Sequence, residues 1–223
     1  MIKNYHTAIT RKPTATYPNG ITASQLGQPD YQLALQQHDE YVKALKQCGL
    51  DVIELQALPD YPDSCFVEDT CVLTDELAII TRLGHPSRRG ENIDIAVKLS
   101  EFRDLRLIDA PGTVDGGDVF QVEDHFFIGI SERTNEEGAQ QLVEHLRDTD
   151  FRVTLFPVRS GLHLKSSVTS LGRGKLLISE DLAREMVFRH FDLVKVPEED
   201  RYAANCLAIG DKALVAKGYP SVV

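Results

Sequence analysis

The sequence predicts an α/β fold built from repeated ββαβ units set around a pseudo-symmetry axis. Three observations carry that prediction. A hairpin pattern, a helix pattern and a strand pattern recur in one order at a spacing of roughly 40 residues, in the range of propellers and arrays. No linker or low-complexity tract divides the 223 residues, so 1–223 reads as a single domain. The strand that closes each unit empties into a polar loop, and equivalent loops of a repeat line one face. A plain α/β sheet is the alternative, but a hairpin in every unit argues against a purely parallel sheet.

The elements follow in order. Asp30 can cap a helix from Tyr31 to Cys48, with Gly49 as its stop and Leu35, Val42 and Leu45 facing inward. A strand at Asp51 to Leu55 follows. Cys71 to Leu73 and Leu77 to Ile80 read as a hairpin, Asn92 to Glu101 as a helix on which Ile93, Val97 and either Leu99 or Phe102 are apolar, and Leu105 to Ile108 as a strand. The order then recurs. Val119 to Val122 and Phe126 to Ile130 form a hairpin whose turn includes a solvated His125. Thr134 to Leu146 is a helix with the capping-box pattern at Thr134 and Glu137, and Phe151 to Val158 is a strand. The next unit is a hairpin of Ser167 to Leu171 with Lys175 to Ile178, a helix at Glu180 to Phe188 and a strand at Leu193 to Val196. A last hairpin, Leu207 to Ile209 with Ala213 to Ala216, opens a unit that the sequence does not complete; the repeat calls for about 25 to 35 more residues.

Charge and cysteine usage narrow the function classes. A net charge of -10 repels a phosphate backbone, so nucleic acid is a poor partner and a cationic small molecule a better one. Cys48, Cys65, Cys71 and Cys206 show no C-x-x-C spacing, which disfavours zinc and redox pairs and suggests reduced thiols. The N-terminal residues lack the apolar stretch of a leader, and no run approaches membrane-spanning length. A soluble, cytoplasmic protein is expected.

Chemistry concentrates in the loops after the closing strands. Asp63, Glu68 and Asp69 follow the first, Asp115 and Asp118 the second, His163 the third. Carboxylates crowded without counter-charge raise one another's pKa, so they make sense around a cation. A guanidinium, planar and rich in donors, suits paired carboxylates. Each acid taken alone could equally be a solvated turn residue. His163, next to such acids, could work as a general acid and base near neutral pH. Arg88, Arg89 and Arg133 could bind an acidic group or be solvated. No G-x-G-x-x-G or P-loop is present, so nucleotide binding has no support.

These residues also carry a family resemblance. Pro62-Asp63-Ser64-Cys65-Phe66-Val67-Glu68-Asp69, Ser87-Arg88-Arg89, Gly112-Thr113-Val114-Asp115-Gly116-Gly117-Asp118, Arg133-Thr134-Asn135, Leu162-His163-Leu164-Lys165 and Ala203-Ala204-Asn205-Cys206 resemble the dimethylarginine dimethylaminohydrolases, from the N-terminus to about Pro220. The resemblance implies a five-bladed α/β-propeller, here with its last blade incomplete. It implies hydrolysis of Nω-methylated arginine to citrulline and a methylamine through a covalent cysteine adduct, with no cofactor and no metal. By position, His163 would be the general acid and base, and Asp115 the carboxylate that supports it and pairs with the guanidinium. Asp63, Glu68 and Asp69 would hold the substrate's cationic groups, Arg88 and Arg133 its α-carboxylate, and Ile21 would lie on a lid loop. The partner implied is a small molecule; a homodimer stays open as an assembly.

The sequence departs from the family pattern at one point. The family's nucleophile lies in a Cys-x-Ser segment near the C-terminus, and residues 1–223 contain none. The nucleophile is therefore expected beyond Val223, with Cys206, which matches a different family position, as the weaker candidate. The alternatives are a chain that binds arginine-like ligands without turnover, one completed by a separate chain, or an enzyme of the neighbouring arginine deiminase or amidinotransferase type.

Overall fold

The computed structural model describes residues 5–22 and 27–219. Residues 1–4, on which the expectation of no leader partly rests, and 220–223 lie outside them. The chain enters on a strand that the sequence reading passed over. β1 (Thr7–Arg11) runs parallel to β2 (Asp51–Leu55), with Thr7 opposite Asp51 and Arg11 opposite Leu55. A parallel pair needs a crossover, and α1 (Tyr31–Gln47) supplies it. The Asp30 carboxylate accepts from the N–H groups of Gln32 and Leu33, and Gly49 takes the left-handed conformation that ends the helix, at φ 92°. Leu45 is buried, while Leu35 and Val42 are half-buried.

Three full units follow. β3 (Cys71–Leu73) and β4 (Leu77–Ile80) form a hairpin, α2 (Ile93–Leu99) crosses over, and β5 (Asp104–Leu107) returns parallel to β4. β6 (Val119–Val122), β7 (His125–Ile130), α3 (Glu136–Leu146) and β8 (Arg152–Pro157) repeat the plan. β9 (Val168–Gly172), β10 (Lys175–Ser179) and β11 (Asp192–Val196) repeat it again. The second hairpin strand is central in each of these sheets. A fifth sheet holds β12 (Leu207–Ile209) and β13 (Lys212–Leu214).

Apolar clusters seal the joints between neighbouring sheets. Ile9 and Leu55 meet Ile80, Ile95 and Leu99; Ile79 meets Val119, Ile128 and Leu142; Phe120 and Phe127 meet Leu176, Ile178 and Phe188; Leu177 and Val196 meet Val215. The fifth joins Ile209, Leu207 and Leu214 of the last sheet to Ala8, Leu45 and Val52 of the first. Five sheets with five joints, the last onto the first, make a closed five-bladed α/β-propeller.

Four local expectations are corrected. The segment Glu180 to Phe188 is not an α-helix but two one-turn 3-10 helices, Leu182–Arg184 and Met186–Phe188, broken at an extended Glu185. Ala183 and Phe188 are both buried in one cluster, and five residues apart on a continuous α-helix they would point about 140° from each other. On α2 the buried face is Ile95 and Leu99, whereas Ile93 and Val97 are exposed. Asn135, not Thr134, caps α3, its side chain accepting from Gly138 N–H; the Thr134 hydroxyl is spent elsewhere. His125 is not solvated: it opens β7, stacks on Phe127 at 4.2 Å and meets Thr154 Oγ1 at 2.8 Å. Among the described residues no helix is long and apolar enough to cross a membrane.

Candidate active site

The chain places its polar loops on one end of the ring. Short 3-10 helices at Val67–Thr70, Gly116–Asp118, Leu164–Ser166 and Glu198–Ala204 precede β3, β6, β9 and β12, and each touches the next. Asp115 and His163 hold the same place, just ahead of their 3-10 turns. Glycine makes the close approach feasible. A Cβ on Gly116 would collide with the Glu68 carbonyl oxygen, and one on Gly117 would lie 2.8 Å from both Asp69 Oδ1 and the His163 ring.

Three carboxylates surround the His163 imidazole, which is itself buried. Asp69 Oδ1 and Asp115 Oδ2 stand 3.8 and 3.9 Å from Nε2, and Asp118 Oδ2 stands 3.3 Å from Nδ1, off the hydrogen-bond direction. Asp118 is fixed from every side: Oδ2 accepts from Ser131 Oγ (2.6 Å) and Thr134 Oγ1 (2.8 Å), and Oδ1 from Leu164 N–H (3.0 Å). Burial works against a charged imidazole, but Asp118, Asp69 and Asp115 outweigh it and raise the His163 pKa above the ordinary histidine value. The two acids facing Nε2 differ. Burial opposes ionisation of Asp69, yet Arg88, His163 and the Gly117 N–H hold its carboxyl below the usual range. Asp115 is pushed up to about 6, by burial first and then by the charge on Asp69. Its Oδ1 accepts from Gly84 N–H at 2.8 Å, while its buried Oδ2 has no hydrogen-bond partner.

The arginines take up different positions. Arg88 is buried and engaged: Nη1 donates to Asp69 Oδ2 (2.7 Å), while Nε and Nη2 grip the Glu91 carboxylate (3.1 and 2.8 Å). Arg133 brings Nη1 to 3.5 Å from Asp115 Oδ2. Asp63 and Glu68 lie further out. Both oxygens of Asp63 receive the Ile21 N–H at 3.1 Å, which tethers the segment just before residues 23–26, and exposed Glu68 pairs with Lys165 Nζ at 2.7 Å.

Residues 14–215 match the family model described as N,N dimethylarginine dimethylhydrolase, eukaryotic. The chain belongs to the dimethylarginine dimethylaminohydrolase family. It is 40% identical over 214 residues to the N(G),N(G)-dimethylarginine dimethylaminohydrolase of Pseudomonas aeruginosa, covering 95% of this chain and 84% of that one. It is 36% identical to the Streptomyces coelicolor protein of the same name, covering 96% and 83%. A solved structure of the Pseudomonas aeruginosa enzyme, a cysteine-to-serine variant complexed with citrulline, superposes with a TM-score of 0.96 at 38% identity over 99% of this chain and 87% of that one. The N-terminal domain of a cyanobacterial arginine dihydrolase, 16% identical, shares the fold with a TM-score of 0.82 over 96% of this chain and 86% of that one.

Within this family member, three cysteines sit in surroundings that favour the thiol. Burial pushes Cys65 up to about 12 and Cys71 up to about 11, and also raises Cys206, whose backbone is bonded to Thr169 in an apolar cluster. Cys48 caps α1 beside Leu45 and Leu50. Asp69, Asp115 and His163 each offer a ligand atom within 4.8 Å of the others, the one such group among the described residues. Arg88 and Arg133 already face those acids, which suits the group to a hydrogen-bonded organic cation better than to a divalent metal. Sequence reasoning missed Glu91, which sits three residues after Arg88 on the same turn, and the backbone donor Gly84. It saw Asp118 as one more acid of the cluster, without its place behind His163.

Proposed function

We propose that this protein hydrolyses Nω-methylated arginine to citrulline and a methylamine. The observation that carries the reading is Asp115 Oδ2: a buried carboxylate oxygen with no donor, beside Asp69 and the Nε2 face of His163. Such an atom calls for an N–H donor, and a guanidinium supplies several in one plane. With Asp115 ionised, Arg88, Arg133 and protonated His163 face Asp69, Glu91, Asp115 and Asp118, which leaves one negative charge for a monocationic group. A bound guanidinium favours that ionised state by drawing the Asp115 pKa down.

The chemistry follows from the protonation states. A cysteine thiolate adds to the guanidinium carbon and makes a tetrahedral adduct. His163, whose pKa its carboxylates raise above the ordinary histidine value, gives its proton to the departing methylamine as the C–N bond breaks. The neutral imidazole then takes a proton from water as its oxygen adds to the thiouronium carbon. The C–S bond breaks, and citrulline leaves. Asp118 stands on the Nδ1 side of the ring, and Nε2 faces Asp69, Asp115 and the substrate. We assign the α-carboxylate to Arg133, since Arg88, also expected there, is buried and spent on Asp69 and Glu91, the α-ammonium to Asp63 and Glu68, and a lid contact to Ile21. The Cys65, Cys71 and Cys206 thiols are held protonated, so the reading takes its nucleophile from a cysteine beyond Val223. The test is citrulline release from dimethylarginine by the full-length protein. His163→Ala should abolish it and keep substrate binding; a variant with wild-type turnover would refute the assignment.

A further inference from the structure

Arg201 lies on the 3-10 segment Glu198–Ala204 and takes no part in the chemistry above. Its Nη2 donates to Ser160 Oγ at 2.7 Å and to Ser167 Oγ at 3.1 Å, and stands 3.1 Å from Asp181 Oδ2. Nη1 is 3.7 Å from Glu198. Ser160 precedes His163 in its loop and Ser167 follows it, so one nitrogen ties both legs of the histidine loop together. Asp181 is anchored in turn: Oδ1 accepts from Ser179 Oγ at 2.6 Å, and Oδ2 from Ser160 Oγ at 3.1 Å.

Other ties reach the loop as well, and Leu164 packs into the apolar cluster beside it. Val158 N–H donates to Ile130, Leu164 N–H to Asp118, and Ser179 N–H to the Ser167 carbonyl. Gly161 turns at φ 83° between the legs. A cavity of about 200 Å³ lies between this loop and residues Asp181, Leu182 and Glu185, with His163 itself on its wall. The crown of the loop is thus held by Asp118, its base by Arg201, and there is open space for it to shift into.

We propose that Arg201 is a positioning residue for His163, closing the base of the histidine loop through Ser160, Ser167 and Asp181 so that the imidazole stays against its carboxylates. That His163 then serves hydrolysis rests on the function proposed above; the latch itself does not. The groups facing His163 are Asp69, Asp115 and Asp118, with Arg88 and Arg133 beside those acids, Lys165 paired to Glu68 on its own loop, and Arg159 near Glu185 across the cavity.

The sign of one titration separates positioning from charge. The midpoint of the His163 ring would be followed by NMR against pH in the full chain, with citrulline release measured alongside. The double variant Ser160→Ala with Ser167→Ala removes both acceptors and keeps every charge. Arg201→Gln removes the charge as well. If Arg201 positions the loop, the midpoint falls toward the ordinary value of 6.5 in both variants. Turnover then drops roughly ten- to a hundredfold with little change in KM. Arg201→Lys, which can still bond both hydroxyls, restores part of each loss. If Arg201 acted only as a nearby cation, Arg201→Gln would raise the midpoint, because losing a positive charge favours the imidazolium. The double variant would then leave it unmoved, and either result overturns the proposal. A midpoint that falls in both variants of a parent protein releasing no citrulline would uphold the latch and reject the hydrolase reading.

Discussion

Replacing Asp115 by Asn should stabilise the protein while removing its activity, and the gain should appear only above the acid range. Asp115 is fully buried, with Oδ1 taken by Gly84 N–H and Oδ2 left without a donor. Its carboxyl titrates at about 6 in the folded protein against 3.8 as the reference, because burial and then Asp69 oppose its charge. A carboxyl raised on folding binds its proton more tightly in the native than in the unfolded state. Native stability therefore falls as pH rises from 3.8 toward 6, and the full penalty holds above that window. At about 1.36 kcal/mol per pKa unit, the interval amounts to about 3 kcal/mol. Asn keeps a carbonyl oxygen for Gly84 and carries no charge, so it escapes the penalty. Near pH 4 the protonated acid and the amide are nearly equivalent. Urea unfolding at about pH 4 and about pH 7.5 should show the variant pulling ahead of the parent by up to about 3 kcal/mol. Turnover should fall about a hundredfold or more, the scale of losing one charge-stabilising group from an active site. A variant whose advantage was the same at both pH values, or that was less stable at the higher one, would refute the account of Asp115 as a strained acid kept for its ligand.

Two further substitutions probe the same centre. Gly117→Ala would set a methyl group 2.8 Å from Asp69 Oδ1 and the His163 ring. The fold should survive, but steady-state turnover should drop roughly tenfold or more as the two are pushed apart; unchanged turnover would mean that their spacing does not matter. Arg88→Met would strip the cation from Asp69 and Glu91, which are buried at 2.7 and 2.8 Å from it. Leaving those charges unpaired should cost about 3–5 kcal/mol in urea unfolding, and a loss under about 1 kcal/mol would show that the acids simply take up protons.

Much of the fold was legible because a hairpin leaves a strong local signal. Two apolar runs across a polar turn, followed by a helical pattern, mark Cys71 to Ile80 and Val119 to Ile130 almost to the residue. β1 leaves no such signal: its partner β2 lies 44 residues on, across α1, and they pair in parallel. The failed helix at Glu180 to Phe188 has the same root. Local propensity favoured a helix, but Ala183 and Phe188 must both enter the core beside Phe127, and only a broken path allows it. His125 was misplaced by one residue of turn geometry. Glu123 at φ 52° makes the turn tight enough for His125 to pair with Val122 as the first residue of β7.

The site was legible in its acids and its histidine, because equivalent loops of a repeat must meet. What the sequence could not supply was the division of labour among them. Asp115 and Asp118 lie three residues apart, yet the turn Gly116–Asp118 sends one to each side of the imidazole. Asp118 is silent in the sequence because its partners come from the connection between β7 and α3 (Ser131, Thr134) and from the loop after β8 (Leu164 N–H). Thr134 shows the cost of reading locally. It fits a helix cap, but the buried carboxylate of Asp118 is the more demanding acceptor, and Asn135 is available to cap α3 in its place. The outcome is an acid on each face of one histidine, set by packing to different ends: Asp118 saturated with donors, Asp115 short of a donor and with its pKa raised by burial. That asymmetry gives His163 a fixed back and an electrostatically unsatisfied front, where an arriving guanidinium completes the hydrogen bonding.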